Sequence, residues 1–308
     1  MPELPEVEYT ARQLRDAIVG ATIREALVFW ERTIGHPGPP KFLAEIASQR
    51  IAGVRRRGKF LIADLSGKLI LTIHRRMTGN LLLLPAGWEI DTSLQTADHV
   101  AWNIKGPSFY WGIEEGAMNF DPTDLLYCRV CFNLADGRRL LFTDPRKFGR
   151  IELWPREREQ EAFEGLGPEP LSDEFTVETL AKSLAGRKGA IKQALLDQKV
   201  VAGLGNIYAD EALYYAFVHP LRSANSLTPL EVQRLREGIV SVLTLGIVHG
   251  GTSFSEYRDL WGEAGDNYNH VRVYHQQGKP CKRCGTPIER IVVAQRSTHF
   301  CPGCQKLT

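Results

Sequence analysis

The chain has little net charge, few cysteines and no long hydrophobic run. Its 308 residues carry a formal net charge of +2 and include six cysteines. Apolar runs such as residues 81–84, which Pro85 closes, are far shorter than the roughly 20 residues of a membrane-spanning helix. The first eight residues have neither the basic flank nor the apolar core of a signal peptide. These absences exclude a membrane-spanning protein, and we expect one that acts in the cytoplasm.

Composition and length indicate a globular protein with two domains. Hydrophobic residues make up 43% of the chain and charged residues 24%, which excludes a disordered or fibrous protein. A chain of this length is too long for one ordinary domain. Residues 156–173 are rich in Glu, Gly and Pro and poor in apolar residues, so we expect a linker there.

Positive charge is concentrated in two blocks of the sequence. Eight Lys and Arg residues lie in 50–76 and seven lie between residue 270 and the end of the chain, each block with a single acid. The stretch 152–178 between them is acidic. Two basic blocks are typical of surfaces that contact a phosphate backbone, although solvated surface charge explains them about equally well.

The segment before the linker has strand-like composition, and the segment after it has helical periodicity. We predict a helix over 7–18, followed by strands over 59–65, 68–74, 125–134 and 139–143, with Asp136-Gly137 as a turn. After the linker we predict helices over 177–184, 190–196, 206–215 and from 229 to about 250, with Thr176 and Thr228 as N-caps.

The cysteines form three pairs with Cys-x2-Cys spacing. Cys281 and Cys284 are separated by sixteen residues from Cys301 and Cys304, which suits one structural zinc ion held by four thiolates on a β-hairpin. Disulfides are the alternative, and a cytoplasmic location disfavours them. Cys128 and Cys131 lie in a predicted strand, where positions three apart point to opposite faces, so we expect ordinary buried strand residues.

The N-terminus offers an unusual nucleophile. If Met1 is removed, Pro2 becomes a terminal secondary amine that can attack an electrophilic carbon and form an iminium ion. Glu3 and Glu6 lie close by in sequence and are able to act as acid and base. On this chemistry alone, an ordinary polar N-terminus is the simpler interpretation.

A series of motifs changes that balance. The motifs are Met1-Pro-Glu-Leu-Pro-Glu-Val-Glu8, Arg57-Gly-Lys59-Phe, His74-Arg-Arg-Met77-Thr-Gly, Thr143-Asp-Pro-Arg146-Lys-Phe148-Gly, Leu166-Gly-Pro-Glu-Pro-Leu, Gly203-Leu-Gly-Asn206-Ile-Tyr-Ala, Ala294-Gln-Arg296 and the zinc ligands. With these motifs, which occur in family order along nearly the whole chain, the sequence resembles the Fpg/Nei family of DNA-repair glycosylases, of the formamidopyrimidine-DNA glycosylase type.

The resemblance implies an enzyme that excises oxidised purines, namely 8-oxoguanine and formamidopyrimidines, and then nicks the strand by β,δ-elimination. Pro2 would form the Schiff base at the sugar C1′, Glu3 would donate a proton and Glu6 would support them. Lys59 would assist β-elimination, and Arg296 would clamp a phosphate and contribute to δ-elimination. No nucleotide cofactor is implied.

The same resemblance implies a partner, double-stranded DNA that contains damaged bases or abasic sites, and a monomeric enzyme. Six residues would contact that DNA: Met77, Arg146 and Phe148 would fill the gap left by the extruded base, and Arg129, Lys188 and Asn206 would contact phosphates. Extrusion costs a few kcal/mol, and apolar side chains with a forked arginine suit such a gap.

Two segments depart from the family pattern. Residues 85–126 are much longer than the usual connection and contain six large aromatic side chains. The family's phosphate-binding histidine corresponds to Arg129, and His99 within the insertion is the less favoured alternative. The loop that covers the extruded base in the family lacks its usual Gly-Tyr-Phe stretch here, so we keep two further hypotheses: a glycosylase for oxidised pyrimidines or bulkier lesions, and a non-catalytic binder of damaged DNA.

The expected fold is therefore α+β: an N-terminal β-sandwich with flanking helices, then a helix-two-turn-helix domain with a four-cysteine zinc-finger hairpin. We predict a catalytic domain at 1–155 with its insertion at about 85–126, a linker at 156–173, a helix-two-turn-helix domain at 174–250, a lesion-capping loop at 251–274 and a zinc finger at 275–308.

Overall fold

A computed structural model describes residues 1–87, 125–254 and 256–307. The chain forms two compact units. Unit 1 comprises Met1–Pro2, Glu6–Ala162 and Thr252–Gly265, and unit 2 comprises Glu3–Pro5, Phe163–Gly251 and Asp266–Thr308. In the described part of the chain, no helix has both the length and the apolar character needed to cross a membrane.

Unit 1 contains two four-stranded antiparallel sheets. One has the strand order β1-β6-β7-β5 and the other β2-β3-β4-β8. The strands are β1 (Ile23–Val28), β2 (Ile51–Arg57), β3 (Phe60–Leu65), β4 (Leu69–His74), β5 (Asn80–Leu84), β6 (Cys128–Leu134), β7 (Arg139–Thr143) and β8 (Arg150–Pro155). The helices are α1 (Leu4–Ile18), α2 (Pro39–Ile46) and the short α3 (Glu159–Ala162).

One hydrophobic core joins the two sheets of unit 1. It contains buried residues from strands of both sheets, such as Phe132 and Phe142 from one and Leu71 and Ile151 from the other. Helix α1 adds Val7, Ala11, Leu14 and Ile18, which recur every three to four residues along one face. The predicted β-sandwich with flanking helices is confirmed.

Cys128 and Cys131 do not point to opposite faces of their strand, as the sequence analysis expected. Cys128 and Cys131 lie in the same buried cluster, on the same face of their sheet. The pairing of β6 with β7 shifts register between Cys128 and Val130, and such a bulge inserts a residue that reverses the alternation of side chains. The expectation of opposite faces was wrong. Burial raises the pKa of Cys131 to about 12, so its thiol stays protonated and is a poor metal ligand.

Unit 2 is built from helices and one hairpin. The helices are α4 (Val177–Leu184), α5 (Ile191–Leu196), α6 (Asn206–Tyr215) and α7 (Pro229–Val248), and the hairpin consists of β9 (Glu289–Val293) and β10 (Arg296–Phe300). Thr176 caps α4 by accepting a hydrogen bond from Thr179 N, and Thr228 with Glu231 forms a capping box on α7. These helices and the hairpin confirm the predicted C-terminal architecture.

The predicted elements and the predicted linker can be compared with the structure, whereas most of the predicted insertion lies outside the described residues. The sequence missed β1, β2, β5, β8 and α2, although it located the other main elements within a few residues. In the predicted linker, residues 156–162 form two short helical turns, and the two units separate after Ala162. His99, all six aromatic residues of the insertion and most of that segment lie outside the described residues.

Candidate functional site

Glu3 lies at the N-terminus of helix α6 in unit 2. Its buried carboxylate accepts hydrogen bonds from the main-chain N–H groups of Ile207, at 2.9 Å, and Tyr208, at 3.4 Å. These N–H groups have no partner within the helix, and the positive end of the helix dipole favours a negative charge there. The Glu3 carboxylate is thus held in place by backbone rather than by another side chain.

Two glycines make room for the N-terminal residues in unit 2. A Cβ atom at Gly205 would lie 2.3 Å from the Glu3 carboxyl carbon, and one at Gly203 would lie 2.8 Å from Leu4 side-chain atoms. Gly203 also has a φ of +84°, which favours glycine. Its carbonyl accepts a hydrogen bond of 3.0 Å from Leu4 N. The Gly203-Leu-Gly205 motif therefore has a direct structural role: it admits Glu3 to the helix terminus.

Unit 1 holds three further predicted catalytic residues. Pro2 and Glu6 are buried near the start of the chain, whereas Met1 is exposed. One Glu6 oxygen accepts a hydrogen bond of 2.7 Å from Thr252 N. Lys59 is buried in the turn between β2 and β3, after Gly58 with its φ of +54°. Unit 1 thus contains an amine precursor, a carboxylate and an ammonium group.

Two turns of unit 1 expose the residues predicted to enter the DNA. The Met77 turn, residues 75–79, follows β4 and leaves Met77 37% exposed. The Phe148 turn, residues 144–149, follows β7 and leaves Phe148 50% exposed. The Arg146 guanidinium is also exposed and lies 5.4 Å from the Phe148 ring centroid. Apolar side chains exposed on tight turns do not belong to a hydrophobic core, and exposed apolar surface is typical of a site that contacts a partner.

Asp144 connects these two turns. One of its oxygens accepts a hydrogen bond from the Thr78 hydroxyl and another of 3.2 Å from Arg146 N, and its second oxygen accepts one of 2.7 Å from Gly149 N. The structure therefore brings Met77, Arg146 and Phe148 onto one rigid support. The sequence did not identify the role of Thr78 or Asp144, although both lie inside motifs that it singled out.

Arg129 is placed differently from its prediction. Its side chain is 3% exposed, and its Nε donates a hydrogen bond of 2.8 Å to the Asp144 carbonyl. The register shift in β6 falls at this residue. This placement does not favour a phosphate contact, because a buried guanidinium is not presented to a charged backbone. Its role in DNA binding stays a prediction.

In unit 2, Asn206 and Arg296 are brought together by the zinc hairpin. The Asn206 amide donates a hydrogen bond of 3.0 Å to the carbonyl of Ser297, the residue after Arg296. The Arg296 side chain is exposed next to the hairpin turn, and Lys188 is exposed in the turn before α5. As placed, the Asn206 side chain docks the hairpin, while Arg296 and Lys188 present charge to solvent.

A buried ion pair fixes the same hairpin, and sequence reasoning missed it. Lys192 and Asp210 are both buried, and the second Asp210 oxygen accepts a hydrogen bond of 2.9 Å from His299 N on β10. Burial lowers the pKa of Lys192, and the Asp210 carboxylate opposes that shift. The signal in the sequence was weak, because Gln193 follows Lys192 and Glu211 follows Asp210, so neither charge stands alone among apolar residues.

The four C-terminal cysteines converge as a zinc site requires. Their Sγ atoms are separated by 3.9 Å for Cys281 and Cys304, 3.4 Å for Cys284 and Cys301, and 3.5 Å for Cys284 and Cys304. Tetrahedral zinc with Zn–S bonds of about 2.3 Å places its sulfurs about 3.8 Å apart. A disulfide needs about 2.05 Å, so these four thiols fit one zinc ion and no cross-link.

A second group of possible ligands lies after helix α7. Atoms of His249, Asp266 and His270 lie within 4.8 Å of one another. However, the two imidazole rings stack with centroids 3.5 Å apart and planes 21° apart. Nitrogens of stacked rings point in nearly parallel directions, whereas a single ion needs lone pairs that converge. This group is therefore better described as two histidines beside a carboxylate than as a metal site.

Comparison with known proteins covers nearly the whole chain. Three family models match: "Formamidopyrimidine-DNA glycosylase N-terminal domain" at residues 1–151, "Formamidopyrimidine-DNA glycosylase H2TH domain" at 166–258 and "Zinc finger found in FPG and IleRS" at 278–307. A formamidopyrimidine-DNA glycosylase of Herpetosiphon aurantiacus is 42% identical over 306 residues, which cover 99% of this chain and 100% of that protein.

Solved structures of the Lactococcus lactis FPG protein are also similar to this chain. A mutant of that protein bound to Fapy-dG-containing DNA has a TM-score of 0.82 and 33% identity. A complex of the same protein with abasic-site DNA has a TM-score of 0.82 and 32% identity. Both matches cover 99% of this chain and 100% of the other.

Proposed function

The chain belongs to the formamidopyrimidine-DNA glycosylase family, and we propose that it is a bifunctional DNA glycosylase and AP lyase of base excision repair. Its substrate is double-stranded DNA that contains an oxidised purine or an abasic site. The observation that carries this proposal is the Glu3 carboxylate, buried against the N-terminus of α6 and adjacent in sequence to Pro2. A proton donor next to a latent secondary amine is the pairing that Schiff-base chemistry requires.

The reaction starts once Met1 has been removed and the Pro2 nitrogen is free. That nitrogen attacks the sugar C1′ and loses its own proton, while the bond between C1′ and the base breaks and the base leaves with a proton. Glu3 then protonates the ring oxygen O4′, the bond between C1′ and O4′ breaks, and the bond between C1′ and nitrogen becomes an iminium. Removal of a C2′ proton, assisted by Lys59, then expels the 3′ phosphate, and a second elimination expels the 5′ phosphate. Glu6 supports this region and fixes Thr252 through its hydrogen bond.

Residues of unit 1 and residues of unit 2 each contact the DNA in this proposal. Met77 and Phe148 occupy the gap left by the extruded base, and Arg146 bonds to the unpaired partner base. Phosphates are contacted by Lys188, Asn206 and Arg296, and Arg296 also assists the second elimination. A phosphate contact by Arg129 stays a prediction, which the salt dependence of DNA binding tests. Such contacts fix the register of the enzyme without reading sequence.

The domain limits follow the same proposal. We assign catalysis to 1–155, the linker to 156–173, the helix-two-turn-helix to 174–250, the lesion-capping loop to 251–274 and the zinc finger to 275–308. The zinc ion is structural, because all four of its positions are filled by thiolates. The enzyme acts as a monomer in the bacterial cytoplasm and nucleoid, where its substrate lies.

Borohydride trapping tests the proposal directly. The mature protein, which begins at Pro2, should form a covalent adduct with abasic-site DNA, and the adduct should map to the N-terminal peptide. Pro2→Gly and a form that retains Met1 serve as comparisons, since the first replaces the proline ring amine and the second blocks it. Equal trapping by all three forms would show that Pro2 is not the main nucleophile and would direct attention to Lys59.

A panel of lesions decides between the remaining hypotheses. Duplexes that contain formamidopyrimidine, 8-oxoguanine or an oxidised pyrimidine are compared at the same protein concentration. Preference for the purines supports the proposal, and preference for the pyrimidine supports the alternative lesion class. Tight binding without excision of any of these lesions, and without cleavage at abasic sites, would leave only a non-catalytic binder of damaged DNA.

A further inference from the structure

Arg75 is a buried arginine that the proposed reaction does not use. It directly follows strand β4, and its side chain is 1% exposed. Burial lowers the pKa of Arg75, and the nearby acids that oppose this shift include Glu6 and Asp259. Burying a guanidinium carries a large desolvation penalty, and a well-packed apolar side chain of similar volume is often at least as stabilising. A charged side chain at this position therefore suggests a role beyond filling volume.

The Arg75 guanidinium makes four hydrogen bonds to separate parts of unit 1. Its Nε donates to the Gly79 carbonyl at 2.6 Å, and its Nη1 donates to the Thr10 hydroxyl at 3.0 Å. Its Nη2 donates to the Asn80 side-chain oxygen and, at 3.0 Å, to the Arg258 carbonyl. A guanidinium has five N–H donors in a fixed plane, so its partners are held in a defined mutual arrangement.

Two hydrogen bonds between Arg75 and Gly79 close the Met77 turn. Besides the bond from Arg75 to the Gly79 carbonyl, Gly79 N donates a hydrogen bond of 3.0 Å to the Arg75 carbonyl. A Cβ atom at Gly79 would lie 2.5 Å from that carbonyl and 2.9 Å from the Phe142 ring, so this position has no space for a side chain. The turn is therefore tight and fixed, and Met77 lies at its exposed side.

The Arg75 bond to the Arg258 carbonyl and two hydrogen bonds of the Asn80 side chain fix the segment 256–258. Asn80 donates a hydrogen bond of 2.7 Å to the Glu256 carbonyl and accepts one of 3.2 Å from Arg258 N. The Arg75 guanidinium lies 5.1 Å from the centroid of the Tyr257 ring. Consecutive residues of this segment are thus bonded to, or stacked on, the Arg75 side chain that closes the Met77 turn or the Asn80 side chain bonded to it.

We propose that Arg75, assisted by Asn80, is a positioning residue that couples the Met77 turn to the segment 256–258, so that both are in place when the damaged base is extruded. The inference rests on the proposed function. It predicts a selective defect: base removal needs both elements, whereas cleavage of a preformed abasic site needs no base to be extruded and held. Arg75 does not touch the reacting atoms, and it acts through the two segments that it joins.

The test compares two substrates and four forms of the mature, zinc-loaded protein: wild type, Arg75→Met, Arg75→Lys and Arg138→Met. Methionine is an unbranched apolar side chain that removes the charge and all five N–H donors, and the thermal midpoint of the variant reports whether it still folds. Lysine keeps the charge but not the planar fork. Arg138, in the hairpin of β6 and β7, is the control, because its guanidinium also bonds a main-chain carbonyl, that of Ala17, together with the Asp136 carboxylate.

We expect Arg75→Met to lower kcat for excision of formamidopyrimidine by at least about tenfold while abasic-site cleavage changes by less than about twofold. Arg75→Lys should be intermediate, and Arg138→Met should excise like the wild type. Fluorescence of 2-aminopurine placed beside the lesion reports extrusion, and its rise should be slower in Arg75→Met. Asn80→Leu, which removes the second anchor, should show the same selectivity if Arg75→Met does not fold.

Three outcomes would overturn the inference: wild-type excision by Arg75→Met, an equal loss on both substrates at an unchanged thermal midpoint, or the same selective loss in Arg138→Met. Failure of the proposed function looks different, because wild type itself would then leave the abasic-site duplex uncleaved.

Discussion

Lys192 and Asp210 form an ion pair in which neither side chain is exposed to solvent. Lys192 also donates a hydrogen bond of 3.2 Å to the Asn206 carbonyl, and Asp210 accepts one from His299 N. The pair therefore ties helix α5 to the start of α6 and to strand β10 of the zinc hairpin.

Removing the carboxylate of Asp210 should be strongly destabilising. Asp210→Ala leaves the Lys192 ammonium and the His299 N–H buried without their partner, and breaking a buried pair typically costs about 3–5 kcal/mol. The midpoint of urea unfolding measures this loss. Asp197→Ala, in the partly exposed pair of Arg187 and Asp197, is the control and should cost much less. Equal losses of stability in Asp210→Ala and Asp197→Ala would mean that the buried pair stabilises the protein no more than the partly exposed pair does.

The zinc site gives a prediction on stoichiometry. One zinc ion should bind per chain, and Cys301→Ser should lose it and weaken DNA binding, since the hairpin that presents Arg296 depends on the metal. The double substitution Cys128→Ser and Cys131→Ser is the control and should keep its zinc, because both thiols are buried on the sheet of β6. Loss of zinc from the double variant in metal analysis would show that this pair is a ligand after all.

Two of the strands that the sequence analysis missed, β1 and β2, are interrupted by a bulge. In β1 and β2 the register shifts after Ile23 and after Ile51. As a result, the buried residues of each strand are three apart, Ile23 with Ala26 and Ile51 with Val54. A spacing of three resembles one side of a helix more than a strand. The bulge in β6 misled the sequence analysis in the same way about the faces of Cys128 and Cys131.

The candidate site was predictable where chemistry fixes the residue type. The spacing of the two cysteine knuckles predicted the zinc site, and the four thiols do converge. Pro2 and Glu3 were singled out only by the family resemblance, and their catalytic roles stay predictions. The residues that hold the Met77 and Phe148 turns in place were not predictable. Thr78, Asp144 and Arg75 act through hydrogen bonds between segments that are distant in sequence. Such contacts leave no periodic pattern, and only the folded chain shows that Arg75 is buried while its neighbour Arg76 is exposed.

Salt dependence separates true phosphate contacts from buried cations. Each neutralised phosphate contributes about 0.9 to the slope of log K against log salt concentration. Lys188→Ala and Arg296→Ala remove exposed charges, so each should lower the slope of DNA binding by about that amount. Arg129→Ala removes a guanidinium that bonds the Asp144 carbonyl, so we expect lower thermal stability and an unchanged slope. A slope reduced by about 0.9 in Arg129→Ala would restore Arg129 as a phosphate contact.

His74, at the end of strand β4, gives a prediction on pH. Burial, with the positive charges of Arg76 and Lys59 nearby, lowers the pKa of His74 from its ordinary value of 6.5 to about 3. The ring also packs edge-on against Phe60, with centroids 4.6 Å apart. Its Nδ1 accepts a hydrogen bond of 3.0 Å from Arg76 N, which requires that nitrogen to be unprotonated. The folded protein therefore keeps His74 neutral.

Since the unfolded chain takes up a proton on His74 near pH 6.5 and the folded chain does not until about pH 3, stability falls as the pH drops through this window. The contribution is at most about 1.4 kcal/mol per pH unit, and it is fully present above pH 6.5. His74→Gln should flatten the pH dependence of the free energy of unfolding between pH 6.5 and about pH 4. Phe60→Leu removes the packed ring but keeps the titrating group, so it should lose stability at every pH and retain the slope. If His74→Gln keeps the full wild-type slope, the acid sensitivity of the protein arises from other groups.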